Sequence, residues 1–572
     1  MKRCPECRRD YYDDTLLYCL DDGNALLEGP ASGASSDEPM TAILHDTAGV
    51  NEAATRAQVF TTDQTAVLPS GITEIPKAKS FDKRLLLAPV ALALIVLGGF
   101  LAYQYFSASS SKQINSIAVM PFDNRNSDAD TDYLSDGLAE SVIFRLTQIP
   151  DLRVSPTSSV MRYKGSSTDV AKIASELDVD AVMTGRLTKR GDNLNITVEL
   201  VDARTNKSLW GEQYERKLSE LLTTQREIVA EIVGKLQLKL SGESEQKLAK
   251  KYTDNNDAYR DYLQGRFYWN KRTPDTISKA VEHLERAVQK DPNFALAYAG
   301  LADAQMITHY LSRKWSDDYL IAKAQANAER AIQLDATLAE PHATLGLIKS
   351  YQWEWDGSEK EFLRAVELNP KYATTYHWYS RLLRTEGRYP EALAQIKKGQ
   401  EADPLSQPIA ENVIQNLVEN GDLDGALEQS NRSLELDPNY WSIYFRRAAV
   451  YFEKGKNDEG FAAASKSIGL IGHAPIAMGF WGYALAKAGK RDEALAVAKE
   501  LEQMYAAKEM DGVRIASVYV GLGDKDKAFE WLERDFQARR PTLMEMCLEL
   551  EFRSLRDDPR FKDLLKRMGL PE

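Results

Sequence analysis

Three cysteines crowd the start of the chain: Cys4 and Cys7 are two residues apart in a C-x-x-C pair, and Cys19 follows twelve residues after Cys7, close to a glycine turn. Thiolates at this spacing suit the knuckle of a small tetrahedral zinc site. A stretch of under thirty residues cannot build a useful apolar core without such an ion. A structural zinc, a metal-free relic and a redox C-x-x-C are the three readings of these residues. Elsewhere the chemistry thins out. Asp128, Asp130 and Asp132 alternate and Asp136 follows, as in calcium loops, but the places that would need Gly and a bidentate Glu hold Tyr133 and Ala139. A solvated loop leading into a capped helix is expected there. The six histidines, His45, His283, His309, His342, His377 and His473, never stand at metal-ligand spacing, and Cys547 has no motif around it and reads as a packed thiol. Phosphate-loop, HExxH and GxSxG motifs are lacking, and the carboxylates read as solvated helix faces. The chain is expected not to be an enzyme.

The element that divides these residues is Leu85–Phe106, twenty-two residues without a charge. At ~1.5 Å per residue it makes a helix of ~33 Å, enough for a hydrocarbon core of ~30 Å. A signal peptide would sit at the extreme N-terminus, and a buried core helix is the other competing reading. Lys77, Lys79, Lys83 and Arg84 precede the span and only Lys112 and Arg125 follow it closely, which predicts a cytoplasmic N-terminus and a periplasmic or otherwise extracytoplasmic C-terminal part. The reading is of a single-pass protein of a bacterial inner membrane. Over 572 residues, 43% hydrophobic and 27% charged residues describe ordinary globular domains, and a net charge of −13 argues against a nucleic-acid partner. Only Cys547 lies beyond the span, so no disulfide can form within that part. Residues Gly29–Ser80 read as a disordered linker, with the echoes Thr41-Ala42-Ile43-Leu44 and Thr65-Ala66-Val67-Leu68 as chance similarity or docking or phosphoacceptor motifs.

The opening segment, residues 1–28, resembles the short zinc-ribbon caps of bacterial membrane proteins, in which a second C-x-x-C pair completes the site. Here the fourth position, three residues after Cys19, is Asp22. The resemblance implies one structural zinc ion held by Cys4, Cys7, Cys19 and Asp22, an unusual set that zinc's acceptance of carboxylate oxygen permits.

Residues 115–241 alternate strand and helix signals. Ser116–Phe122 reads as a buried strand, and Ser135 is expected to cap a helix with Leu138, Val142, Ile143 and Leu146 on its apolar face. Strands are expected at Leu152–Val154, Ala181–Leu187, Leu194–Val201 and Leu209–Tyr214, with helices at Ala171–Leu177 and about Ser219–Leu240. The stretches SIAVMPFDN, YLSDGLAES, DVDAVMTGRL and LVDARTNKSLWGEQYER, in that order, resemble the TolB-like amino-terminal domain. That resemblance implies a periplasmic, non-catalytic interaction domain.

From Asp257 onward the chain is helical and periodic. Pro370, Pro404 and Pro438 recur every thirty-four residues, as do Gly387, Gly421, Gly455, Gly489 and Gly523 between paired helices. Ala280, Ala324, Ala392, Ala426, Ala494 and Ala528 stand where helices must approach to 8–10 Å. An extra stretch of about ten residues lengthens the repeat around His309–Asp318. These residues, with Gly346, Phe362 and Ala365, resemble the tetratricopeptide family, although Ala410–Ser433 fits it poorly. About eight repeats over 257–542 are expected, followed at 543–572 by a capping region whose Leu555–Pro571 closes the last apolar face. In the family's peptide-binding members a polar clamp holds a terminal carboxylate. The matching places hold His377, Arg381, Asn412, Ser442 and Arg446, of which Asn412 and Arg446 fit the clamp type; ordinary surface polar residues are the alternative.

The expected fold is therefore multidomain: a zinc-ribbon-like cap, a linker, one transmembrane helix, an α/β TolB-like domain and an all-α superhelix. The expected function is a membrane-anchored scaffold that binds proteins or peptides in an extracytoplasmic groove. The alternative is a transmembrane transducer with a cytoplasmic kinase or transcriptional output.

Overall fold

The computed structural model describes Lys2–Arg3, Asp10–Tyr11, Leu27–Glu28 and residues 114–126, 129–165, 169–238, 240–271, 273–312, 318–472 and 474–571. The chain divides into two compact units, Met1–Leu101 and Ala102–Glu572. In the first, β1 (Lys2–Arg3) lies between β2 (Asp10–Tyr11) and β3 (Leu27–Glu28), antiparallel to both. Cys4, Cys7, Cys19, Asp22, the linker and Leu85–Phe106 fall outside the described residues.

The fold and the location expected above are corrected here. The second unit is mostly helical, with a small α/β sheet at its start, and among the described residues no helix is long and apolar enough to cross a membrane. The longest described helix, Ala129–Thr147, carries Asp132, Asp136, Glu140 and Arg145, and the most apolar, Pro475–Lys487, has thirteen residues where a span needs about twenty. A single-pass inner-membrane placement is therefore not supported.

The sheet runs β6 (Arg153–Val154), β4 (Ser116–Val119), β7 (Ala181–Arg190), β8 (Asn193–Asp202), β9 (Lys207–Lys217), with β5 (Asp123–Asn124) also on β7. β4 is parallel to β6 and β7 and buried along its length, as a strand covered on both faces must be. β7, β8 and β9 form an antiparallel meander, interrupted where Leu200 faces Trp210 but Val201 faces Ser208, which leaves Leu209 as a bulge. Ser135 does not cap its helix. The helix starts at Ala129, a turn and a half earlier, and the buried Ser135 hydroxyl faces the Thr131 carbonyl instead. Asp132 and Asp136 consequently lie on the helix rather than in a loop, and both meet the Lys164 ammonium, Asp136 at 2.7 Å.

Sixteen helices from Asn256–Asn270 to Lys525–Gln537 pair in sequence as eight antiparallel hairpins. The periodic glycines have a geometric cause: Gly387, Gly421, Gly455, Gly489 and Gly523 all have φ between +71° and +83°, ending each first helix in the left-handed conformation. The periodic alanines are fully buried between helices. At Gly346 the approach is close too, since a Cβ there would stand 2.7 Å from the Phe362 ring.

The array does not end as an open coil. Trp355 in the third hairpin donates its indole N–H to the Met568 carbonyl at 2.8 Å, and Trp353 stacks on Phe536 at 5.7 Å between centroids. Arg540 bridges Asp511 and Asp318, 222 residues earlier in the chain. The closing helix, Pro559–Arg567, thus packs on the last hairpin through Phe561 and Leu564 while its end meets the third.

Candidate functional site

A cavity of about 1040 Å³ lies inside this closed array, lined by the first helices of the hairpins and by the α/β domain. The α/β domain is seated by specific contacts. Arg266 and Asn270, from the first hairpin, donate to Glu140 at 2.7 and 2.8 Å. Lys371 donates to the carbonyls of Ile149, Pro150 and Leu152, and Ser158 and Ser159 donate to the carboxylate of Asp403. Burial lowers the Lys371 ammonium and raises the Asp403 carboxyl from their ordinary values. A charge held by backbone carbonyls and another by hydroxyls make a joint that is satisfied without a charge pair.

All five groove residues named from the family resemblance line the cavity. The structure divides them. Arg446, beside Phe445, is buried and already doubly paired: its Nε donates to Glu411 at 2.8 Å and its other nitrogens to Glu549. Ser442 is buried on the same helix. Asn412 uses Nδ2 for His377 Nε2 at 2.7 Å and the Pro408 carbonyl at 3.3 Å, which leaves its buried Oδ1 without a partner. Arg381 is half-buried and makes no ion pair among the described residues. It faces the field of Arg384, whose guanidinium is brought down to about 10 by burial and reaches Gln415 at 2.8 Å and the Leu548 carbonyl.

Sequence reasoning missed what fills the other part of the concave face. Pro541–Leu555 runs there as short helical turns, burying Met544, Met546, Cys547, Leu548, Leu550 and Phe552. Its acidic side chains are taken by the array: Glu545 by Arg514, Glu549 by Arg446, and Glu551 by the Ser517 hydroxyl at 3.0 Å. Just beyond it, Arg556 holds the buried Glu419 with two bonds of 2.8 Å. The alternation Glu545, Glu549, Glu551 amid apolar residues was the available signal. Burial pushes the Cys547 thiol up to about 12, which keeps it protonated and unreactive. Among the described residues no group of three or more His, Cys, Asp or Glu could hold a metal ion.

Residues 112–231 match the family model described as the second domain of HilA/YgeH-like transcriptional regulators, where a TolB-like domain had been expected, and residues 415–455 match the tetratricopeptide repeat model. The latter overlaps Ala410–Ser433, the stretch that fits the repeat pattern poorly. A putative adenylate cyclase 3 of Rhizobium meliloti (strain 1021) is 29% identical over 244 residues, 43% of this chain and 42% of the relative. The transcriptional regulator HilA of Salmonella typhimurium is 22% identical over 293 residues, 51% of each chain. The chain thus spans about half or less of the length of these curated relatives. Among solved structures, that of Pseudomonas aeruginosa PilF is 19% identical, with a TM-score of 0.30, covering 38% of this chain and 93% of that one. The chain carries tetratricopeptide repeats, preceded by a segment similar to the second domain of HilA-like regulators.

Proposed function

We propose that the folded body of this protein captures a segment of a partner protein in the cavity and serves regulation rather than catalysis. The observation that carries the reading is the state of Arg381, which lines the cavity half-buried and has no ion pair among the described residues. A half-buried guanidinium without an anion can take a peptide carboxylate through two parallel N–H···O bonds, which are stronger than neutral ones. Arg446 is excluded from this role because Glu411 and Glu549 occupy it. The clamp thereby contracts to Arg381, Asn412 and His377.

A fluorescein-labelled acidic peptide with a free C-terminal carboxylate, compared with its C-terminal amide, tests the reading. Tighter binding of the carboxylate form, lost at least about tenfold in Arg381→Ala, is expected; ~1.4 kcal/mol corresponds to that factor. Equal binding of both peptides to both proteins would sink it. A transcriptional output is the second reading, favoured by the match of residues 112–231 to HilA-like regulators and the alignment with HilA itself. Transcript profiles of a strain carrying the Arg381→Ala chain test it, since an output of this kind requires a defined set of promoters to change.

A further inference from the structure

The unpaired groups of the cavity are not all of one sign. Glu340 opens the first helix of the third hairpin, Glu340–Tyr351, lines the cavity, and makes no ion pair among the described residues. Arg266, the cation that acts on it electrostatically, donates instead to Glu140 at 2.7 Å. A second carboxylate stands near: Asp303, buried in the neighbouring hairpin, accepts from the Thr344 hydroxyl. Burial and the Asp303 charge push the Glu340 carboxyl up to about 7, so ionising it without a cation beside it is costly. Tyr262 and Tyr372 lie within the electrostatic reach of Glu340 and also line the cavity, as do Tyr310, Tyr351 and Trp378. A cation seated over an aromatic ring beside a carboxylate is attracted twice, through the ring quadrupole and through charge.

We propose that the Glu340 wall of the cavity is a seat for a basic side chain, so that the partner segment is amphoteric, with an ammonium or guanidinium at Glu340 and a carboxylate at Arg381. This rests on the cavity holding a peptide at all. It adds a polarity to that peptide which an acid-binding groove alone does not have. The two groups stand on adjacent hairpins, whose first helices are Glu340–Tyr351 and Ala373–Thr385. One short segment can therefore serve both: these two first helices pack against each other at about 8–10 Å, Arg381 lies ~12 Å of helical rise into its helix, and an extended residue spans ~3.3 Å.

The test is a double-mutant cycle on the full chain. A series of labelled acidic peptides with a free C-terminal carboxylate places one lysine at each successive position upstream, and each has a norleucine counterpart of the same length. Wild type should prefer lysine over norleucine about tenfold at one position of the series. Glu340→Gln, which keeps shape and removes charge, should bind both alike, while Arg381→Ala should weaken both equally and keep the preference. No preference at any position on wild type, or a preference surviving in Glu340→Gln, overturns the cation seat while leaving carboxylate binding at Arg381 intact. Failure of every peptide to bind wild type overturns the peptide reading and the seat with it. Butylamine and spermidine form the control arm: Glu340-dependent binding of a free amine, with no lysine preference in the peptides, would overturn the amphoteric segment in favour of a small-molecule site.

Discussion

The guanidinium of Arg446 donates to the carboxylate of Glu549, 103 residues further along the chain, and both side chains are less than a tenth exposed. This pair turns a residue that a family pattern assigns to ligand binding into part of the molecule's own framework. Burial alone would raise the Glu549 carboxyl, but Arg446, with Arg514 and Arg384 behind it, holds it well below the usual range. Each of these arginines meets the same C-terminal segment.

Removing Arg446 should therefore hurt stability more than recognition. Arg446→Ala removes the cation that bridges Glu411 and Glu549, and breaking a buried pair by deleting one partner costs about 3–5 kcal/mol. Chemical denaturation should show the loss, and Arg446→Met with Glu549→Leu should recover much of it. Near-wild-type stability of Arg446→Ala would show that the segment is not held this way.

The hairpin glycines make a contrasting pair with a helical one. Gly387 has φ +75° and open space around its Cα, so Gly387→Ala pays only for backbone, about 1–2 kcal/mol. Gly234, inside the helix Leu221–Lys235, also has open space but an ordinary helical backbone, and Gly234→Ala should gain about 0.5–1 kcal/mol. Opposite signs in thermal unfolding are expected. The same sign for both would contradict the conformational role of the spacing.

Much of this was legible in the sequence, and the reason is locality. Glycines thirty-four apart end helices wherever they fall, and alanines between helices need only the next helix to explain them. Ser135 cannot cap because the helix already runs from Ala129, so its hydroxyl lies inside the helix and turns to the carbonyl four residues back. What could not be read were partners set by superhelical pitch: Trp355 with Met568, Arg540 with Asp318, Lys371 with the 149–152 carbonyls. A repeat pattern says that hairpins stack, not how far the coil turns before its end meets its middle. Arg446 was identified as lining the groove and it does so, yet its occupant belongs to the same chain.

The Lys371 joint predicts a local effect. Its ammonium caps three carbonyls between the Ala129–Thr147 helix and β6. Lys371→Ala should cost about 1.5–3 kcal/mol, the range for hydrogen bonds to a charged group. Hydrogen exchange should quicken at residues 148–155 first, while the distant hairpin 512–537 keeps its protection. Uniform acceleration across the array would mean that the joint is not local.

The buried acids set an unusual pH response. Burial raises Glu340 to about 7 from an ordinary 4.5, and it also raises Glu551, beside Glu549, and Asp535, beside Asp511. A raised carboxyl binds its proton more tightly in the folded state, so stability grows as pH falls below the folded value and is fully present near the unfolded one. Glu549 and Glu419, whose arginine partners hold them low, act in the opposite sense: their contribution is present above the unfolded value and is lost as pH falls through the folded one. His283, lowered chiefly by burial, also opposes stability as pH falls through its unfolded value, the ordinary 6.5. The balance predicts a melting temperature that rises from pH 8 to about 5 and drops in stronger acid. Glu340→Gln isolates one member of the set: it should be more stable than wild type at pH 8, and the advantage should vanish by about pH 5. A wild-type and Glu340→Gln difference that stays constant from pH 8 to 5 would show that this carboxyl is not raised by its setting in the cavity wall.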